Sequence, residues 1–446
     1  MDVTGPDAGG GAPTSRGRFH WPTFAADALL VSGGALAANI LNYVFHFTLS
    51  RKLGPDAYGS LATLLAIAMV AGVIGSSIGT VAMQETARLW AMHRDAAVAS
   101  FGRSMLRSAL AIGAIVGVAA FVLSFPLSAY LHIADRFAWA GLAFALFAGV
   151  VAAYARGAIQ GAHRFGLYAA SLIAESGTKL LVGFVLVTIG YAVGGAIAGV
   201  AIGLVVGIAL ALVPLLAGAG AKDGDGYRAL QFGRSASRLA VIYTASMALM
   251  FVDTVFAKHS LPGDEAGYYT AAGLIARIIP FGIGLIVPLV TPKAAAARHA
   301  GAAALARLLG VTLAIACVGT ALALAIMEAI PGALVGLTFG AKFVSAASVL
   351  RLYAVDTSLI ALGLLGTSYL AAIGEYGIGA WLVGAVVFEA GAMAIWGSTP
   401  AALLSIAIAG NALVLPAIAV FVARSVRGPA QASGVPPAEA SNTEFP

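Results

Sequence analysis

Charge and cysteine are the scarce commodities of this chain. Only 10% of its 446 residues are charged and 60% are apolar, whereas a soluble domain carries about 25% charge. A chain this poor in charge cannot clothe a globule in polar surface, so lipid is expected to be its solvent over most of its area. The single cysteine, Cys317, excludes an intrachain disulfide and any multi-cysteine metal site. It sits in an apolar run, where a small core residue is expected. There is no Walker phosphate loop, no HExxH and no CxxC, which argues against ATP-driven pumping or metalloenzyme chemistry by this chain. Gly75-Ser76-Ser77-Ile78-Gly79 fits the nucleophile-elbow spacing, but no strand precedes it, so it reads as a chance match. The segment Met1–Trp21, rich in Gly and Pro, lacks the apolar centre of a cleaved signal peptide.

What is abundant is apolar runs and glycine, 55 residues of it, as suits packed membrane helices whose backbones approach closely. A crossing helix needs about 20 apolar residues. That ruler predicts spans near 27–50, 60–83, 104–129, 137–156, 166–190 and 194–217, then near 239–257, 268–291, 306–327, 345–373, 378–397 and 399–423. The expected fold is all-α and polytopic, with about 12 transmembrane helices in two pseudo-symmetric six-helix bundles. Residues 1–26 form an N-terminal tail, 27–217 the first bundle, 218–238 a polar linker, 239–423 the second bundle, and 424–446 a disordered tail.

Seventeen of the 25 Lys and Arg residues fall on the side that holds both tails and the linker. Five fall on the other, namely Arg51, Lys52, Arg136, Lys258 and Lys342. The positive-inside bias places both termini in the cytoplasm and supports an even number of spans. The net charge of +6 is therefore topological and does not point to nucleic acid. The longest external loop, about 328–344, holds only Glu328 and Lys342 as charges, which disfavours a membrane polymerase or ligase with an external site.

Leu53-Gly54-Pro55-Asp56-Ala57-Tyr58-Gly59 and Leu261-Pro262-Gly263-Asp264-Glu265-Ala266-Gly267 share Leu, Asp and Gly at a constant offset of 208. Each follows the first span of its half. Two parallel six-span halves imply a pseudo-twofold axis along the membrane normal and a cleft between bundles.

Polar residues at bilayer depth usually face a cavity or a partner. Asn39, Asn42 and His46 share one face of the first span; they are candidates to line the cleft and touch a polar substrate, or to bond between helices. Glu175 and Lys179 are spaced for an intrahelical ion pair, with Lys179 otherwise free to meet an anion. Arg277 sits mid-span with no acid within one turn. It calls for an anionic ligand, which its planar fork suits, or for Asp253 or Asp356 on another helix. Glu389 is a candidate to take a proton or sodium ion, while Arg351 and Asp356 are expected to be structural. Gly195, Gly199, Gly203 and Gly207 form a small-residue ladder for close packing, and Pro280 and Pro288 interrupt the eighth span.

Arg51-Lys52-Leu53-Gly54-Pro55-Asp56-Ala57-Tyr58-Gly59, Gln160-Gly161-Ala162-His163-Arg164-Phe165, Asp264-Glu265-Ala266-Gly267-Tyr268-Tyr269 and Phe339-Gly340-Ala341-Lys342-Phe343 resemble the polysaccharide transporter (Wzx-type flippase) family. That family belongs to the multidrug/oligosaccharidyl-lipid/polysaccharide exporter superfamily, and the resemblance runs from about residue 27 to 423. It implies a multi-pass protein of a bacterial-type inner membrane, not an enzyme. Such a protein flips a polyprenyl-pyrophosphate-linked oligosaccharide outward by alternating access, without a cofactor, beside glycosyltransferases and a glycan polymerase of the same pathway. A coupling proton or sodium ion is left open, and the family transfers no fixed site residue. The alternatives are a drug or metabolite cation antiporter of the same superfamily, which needs a compact acidic site, and, more remotely, a membrane polymerase or ligase.

Overall fold

The computed structural model describes residues 21–92, 95–217, 234–284, 286–287, 293–294 and 302–427. They form helices throughout, with no strand among the described residues. The first half holds α1 (Trp21–Leu53), α2 (Pro55–Ala91), α3 (Asp95–Tyr130), α4 (Arg136–Gly161), α5 (Phe165–Leu186) and α6 (Ala192–Ala217). The second holds α7 (Arg234–Ser260), α8 (Gly263–Ala276), α9 (Ile278–Gly284), α10 (Ala302–Ala329), α11 (Pro331–Thr338), α12 (Ala346–Ala372), α13 (Ile378–Trp396) and α14 (Pro400–Arg427). Most helices overrun the expected spans, because apolar length measures the hydrocarbon core and not the whole helix. The expected tails and linker fall largely outside the described residues, but α7 starts at Arg234, inside the expected linker.

Ten described helices are long and apolar enough to cross a membrane, Phe165–Val213 being taken as one. That run is in fact a hairpin. It reverses at Val187–Tyr191, where Gly190 (φ 106°) and Ala192 (φ 43°) leave helical geometry. The glycine ladder closes it: a Cβ on Gly199 would lie 2.6 Å from Gly183, and one on Gly203 2.6 Å from the Glu175 carbonyl. The eighth span is broken in two at Arg277, because Pro280 cannot donate to the carbonyl of Ala276 and its ring crowds that turn. Counting the hairpin twice and α8–α9 once recovers twelve passes. Pro288 lies outside the described residues.

The packing repeats between halves. In the first, α2, α3 and α6 pack on α4, and α5 packs on α1 and α6. In the second, α8, α10 and α14 pack on α12, and α13 packs on α7 and α14. The halves meet where α2 crosses α7 and α8. Near the first loop of each half they share one core, in which Phe45, Tyr58 and Leu61 join Tyr269, Phe339 and Phe343. At mid-depth a smaller cluster joins Ala66 and Val70 to Met247, Met250, Phe251 and Ile360. Towards the opposite end each half has its own core, around Phe101 and Tyr154 in one and Tyr369 and Leu382 in the other. The molecule is therefore a V, closed at the end of loops 54 and 262.

Cys317 is exposed on α10 and not in a core. Its helix packs chiefly on α12, and a lipid-facing position accepts a small apolar thiol as readily as a core does.

Candidate functional site

Two polar clusters flank the plane between the halves. On the second-half side, Arg277 caps the C-terminal end of α8, where the helix carbonyls favour a cation. Its guanidinium is buried. Nε donates to the Met250 carbonyl (2.9 Å), and Nη2 to Asp253 Oδ1 (2.9 Å), Thr254 Oγ1 (2.8 Å) and Tyr353 Oη (3.3 Å). The Phe251 ring centroid lies 4.6 Å from Cζ, adding cation–π attraction. The far oxygen of Asp253 accepts from Tyr269 Oη at 3.1 Å and from Tyr353 Oη. Arg277 thus finds its partner in Asp253, 24 positions away on α7, and not in Asp356.

Asp356 is buried on α12, where Asn411 Nδ2 donates to it at 3.0 Å. Glu389 on α13 is fully buried, and neither carboxyl oxygen has a hydrogen-bond partner among the described residues. It leans on Gly410, whose missing side chain makes the room. Beside this group lies a small, partly open pocket lined by Ser246, Met250, Gly363, Thr367 and Asn411 among others. Arg351 stands apart, exposed, 3.6 Å from Glu328.

On the first-half side, the expected pairing within α5 does not form. Glu175 turns to Arg156 of α4, and Lys179 Nζ donates to Asn42 Oδ1 of α1 at 2.7 Å, over the Phe45 ring. The close α5–α6 contact offers the reason: Gly207 of α6 leaves room beside Glu175 for the Arg156 guanidinium, which also donates to Ser171 Oγ. His46 Nδ1 is 3.0 Å from Tyr58 Oη. Asn39 is exposed on the same face of α1. Tyr43 shares that face, and its buried hydroxyl has no partner among the described residues. Phe45 and Tyr58 share one buried core with Tyr269 and Tyr353, the tyrosines of the Arg277 cluster.

The sequence stripe missed Tyr43, Tyr269 and Tyr353. A buried tyrosine needs a partner for its hydroxyl, and that is the signal that could have drawn attention to them. The elbow-like serines are ordinary helix residues: Ser76 and Ser77 both donate to the Val73 carbonyl within α2. No group of three or more potential ligands that could hold a metal ion occurs among the described residues.

No protein-family model matches the chain, and no curated protein matches it in sequence. Solved structures do. An inward-facing multidrug resistance MATE family transporter of the MOP superfamily aligns with a TM-score of 0.67 at 16% identity, over 86% of this chain and 95% of that one. An outward-facing MATE family transporter gives 0.64 at 16% over 90% and 95%. A MOP superfamily transporter from Pyrococcus furiosus gives 0.63 at 14% over 90% and 96%. At these identities the likeness is one of fold: two-lobed, all-helical and multi-pass.

Proposed function

We propose that the chain is an alternating-access transporter that carries a polyprenyl-pyrophosphate-linked oligosaccharide from the cytoplasmic to the outer leaflet. The V of two repeated bundles, joined at one end and parted at the other, is the observation that carries transport. Inward- and outward-facing members exist among the transporters of this fold. The positive-inside bias orients the open end to the cytoplasm. A diphosphate head cannot enter hydrocarbon unpaired. Lys179, with Asn42, Asn39 and the hydroxyl of Tyr43, supplies a cation and neutral donors on one wall. The lipid tail can stay in the bilayer, because α1 makes no packing with α8 comparable to that of α2. Arg277 serves the substrate only in a state in which Asp253 releases it.

A second reading is favoured by one observation. Asp253, Asp356 and Glu389 are all buried acids of the second half, and Arg277 pairs with Asp253 alone; surplus buried acid suits a cation, either a coupling proton or a cationic drug. The Pyrococcus furiosus neighbour is described as having a binding pocket of reverse polarity and a different function, so this fold is compatible with both polarities. Reconstitution decides. Proteoliposomes should flip a fluorescent polyprenyl-pyrophosphate sugar, and Lys179→Met should slow this at least tenfold. Export of a lipophilic cation with no flipping of the sugar lipid would overturn the first reading in favour of the antiporter.

A further inference from the structure

The closed end of the V is held by contacts that obey the 208-residue offset. Gly59 abuts Gly267, so that a Cβ on Gly59 would lie 3.0 Å from the Gly267 nitrogen. A Cβ on Gly267 would fall on the Pro55 carbonyl. The Asp56 N–H donates to Asp264 Oδ1 at 3.2 Å. Outside this seam two side chains reach across in opposite directions. Arg51, at the end of α1, donates to the Leu337 carbonyl at 2.6 Å. His259, at the equivalent end of α7, donates through Nδ1 to the Tyr130 carbonyl at 2.7 Å and stacks on the Tyr130 ring at 3.7 Å. Residues 51 and 259 differ by 208, and 130 lies one place from the equivalent of 337. Both acceptors sit in the last turn of a helix, α11 and α3, where carbonyls have no intrahelical donor.

We propose that Arg51 and His259 are the paired arms of a latch that sets the stability of the outer-closed state, with the Lys258–Asp56 ion pair (2.8 Å) as its pin. The inference rests on the alternating-access reading. A rocking of one half against the other about the pseudo-twofold axis breaks both arms together, so the latch opens as a unit. Its bonds exchange for water on opening, which makes it reversible where an all-apolar seam would resist. Lys258 breaks the symmetry: its equivalent in the first half is Ser50, whose hydroxyl stays within α1 on the Phe47 carbonyl. The pin therefore belongs to one arm only, and it holds Asp56 at the seam.

The test uses the full chain in nanodiscs with Cys317→Ser to remove its exposed thiol. Pulsed EPR distances are read from spin labels at Ala134 and Val344 for the outer end, and at Trp90 and Ala380 for the inner end. Arg51→Met should raise the outer-open population roughly tenfold, since it deletes a charge-assisted bond, and His259→Phe, which keeps the stack, roughly fivefold. The double variant should approach the product, with the inner distance shortening as the outer one lengthens. Lobes that move in the parent protein but show the same populations in all variants would overturn the latch and leave the transport reading standing. Distances that never change in any protein, with or without sugar lipid, would overturn both.

Discussion

Removing Arg277 should harm stability far more than removing Arg277 and Asp253 together. In Arg277→Met, Asp253 loses its counter-charge and keeps two tyrosine hydroxyls, while the Met250 carbonyl and Thr254 lose a donor. Both members of the pair are nearly inaccessible, Arg277 at 4% and Asp253 at 2%. Breaking one side of such a pair costs about 3–5 kcal/mol, whereas replacing both partners by apolar residues of similar volume is often neutral. Arg277→Met/Asp253→Leu should therefore recover most of that loss, less about 1–3 kcal/mol for tyrosine hydroxyls left unpaired. Thermal unfolding in detergent, followed by monodispersity on size exclusion, gives the order wild type, double, single. Sugar-lipid flipping measured on the same proteins separates two roles. A structural arginine lets activity return with stability, and a substrate contact leaves the stable double variant inactive. A single variant as stable as the parent would refute the pairing argument outright, because no uncompensated charge would have been created.

Two further outcomes follow from close packing and from an orphaned acid. Gly203→Val should separate α5 from α6, since even one carbon there meets the Glu175 carbonyl at 2.6 Å; the expected cost is about 1–3 kcal/mol from overpacking, read as a lower melting temperature than that of a lipid-facing control such as Val318→Leu. Glu389→Leu should leave stability unchanged or higher, because it removes a buried carboxyl with no hydrogen-bond partner among the described residues, and should abolish any dependence of transport on a proton or sodium gradient. Retained ion dependence in Glu389→Leu would remove this residue from coupling.

The topology was legible because its cause is local. Apolar length and the repeat at 53–59 and 261–267 each report on the bilayer or on the dyad, and the repeat loops do meet at the seam through Gly59 and Gly267. The glycine ladder was legible for the same reason, its spacing being a property of one helix. The pairings were not, because they are decided by which neighbour arrives. Glu175 and Lys179 had ideal spacing for each other, yet Arg156 and Asn42 offered better geometry from other helices. An intrahelical pair is worth only about 0.2–0.5 kcal/mol, too little to resist that competition. Cys317 failed likewise: its run is apolar all round, and composition does not tell a lipid face from a core face.

Arg277 shows where the two kinds of information meet. The sequence alone places a guanidinium at mid-depth and requires a partner, with Asp253, Asp356 and an anionic substrate all fitting that requirement. The fold selects Asp253 because Pro280 breaks the eighth span just after Ala276, which puts the arginine at the end of α8 facing α7. Once that cation is neutralised within its own half, the proposed function leaves Lys179, hydrogen-bonded to the neutral amide of Asn42, as the cation to meet an anionic head. The proposed division of labour rests on this difference in pairing. An ammonium held by an amide can exchange that contact for a phosphate without abandoning a buried carboxylate, whereas Arg277 cannot. The Lys179→Met and Arg277→Met/Asp253→Leu variants should consequently separate in a flipping assay, with the first impaired at full stability. Equal activity in the two would show that the opposing walls are not specialised in this way.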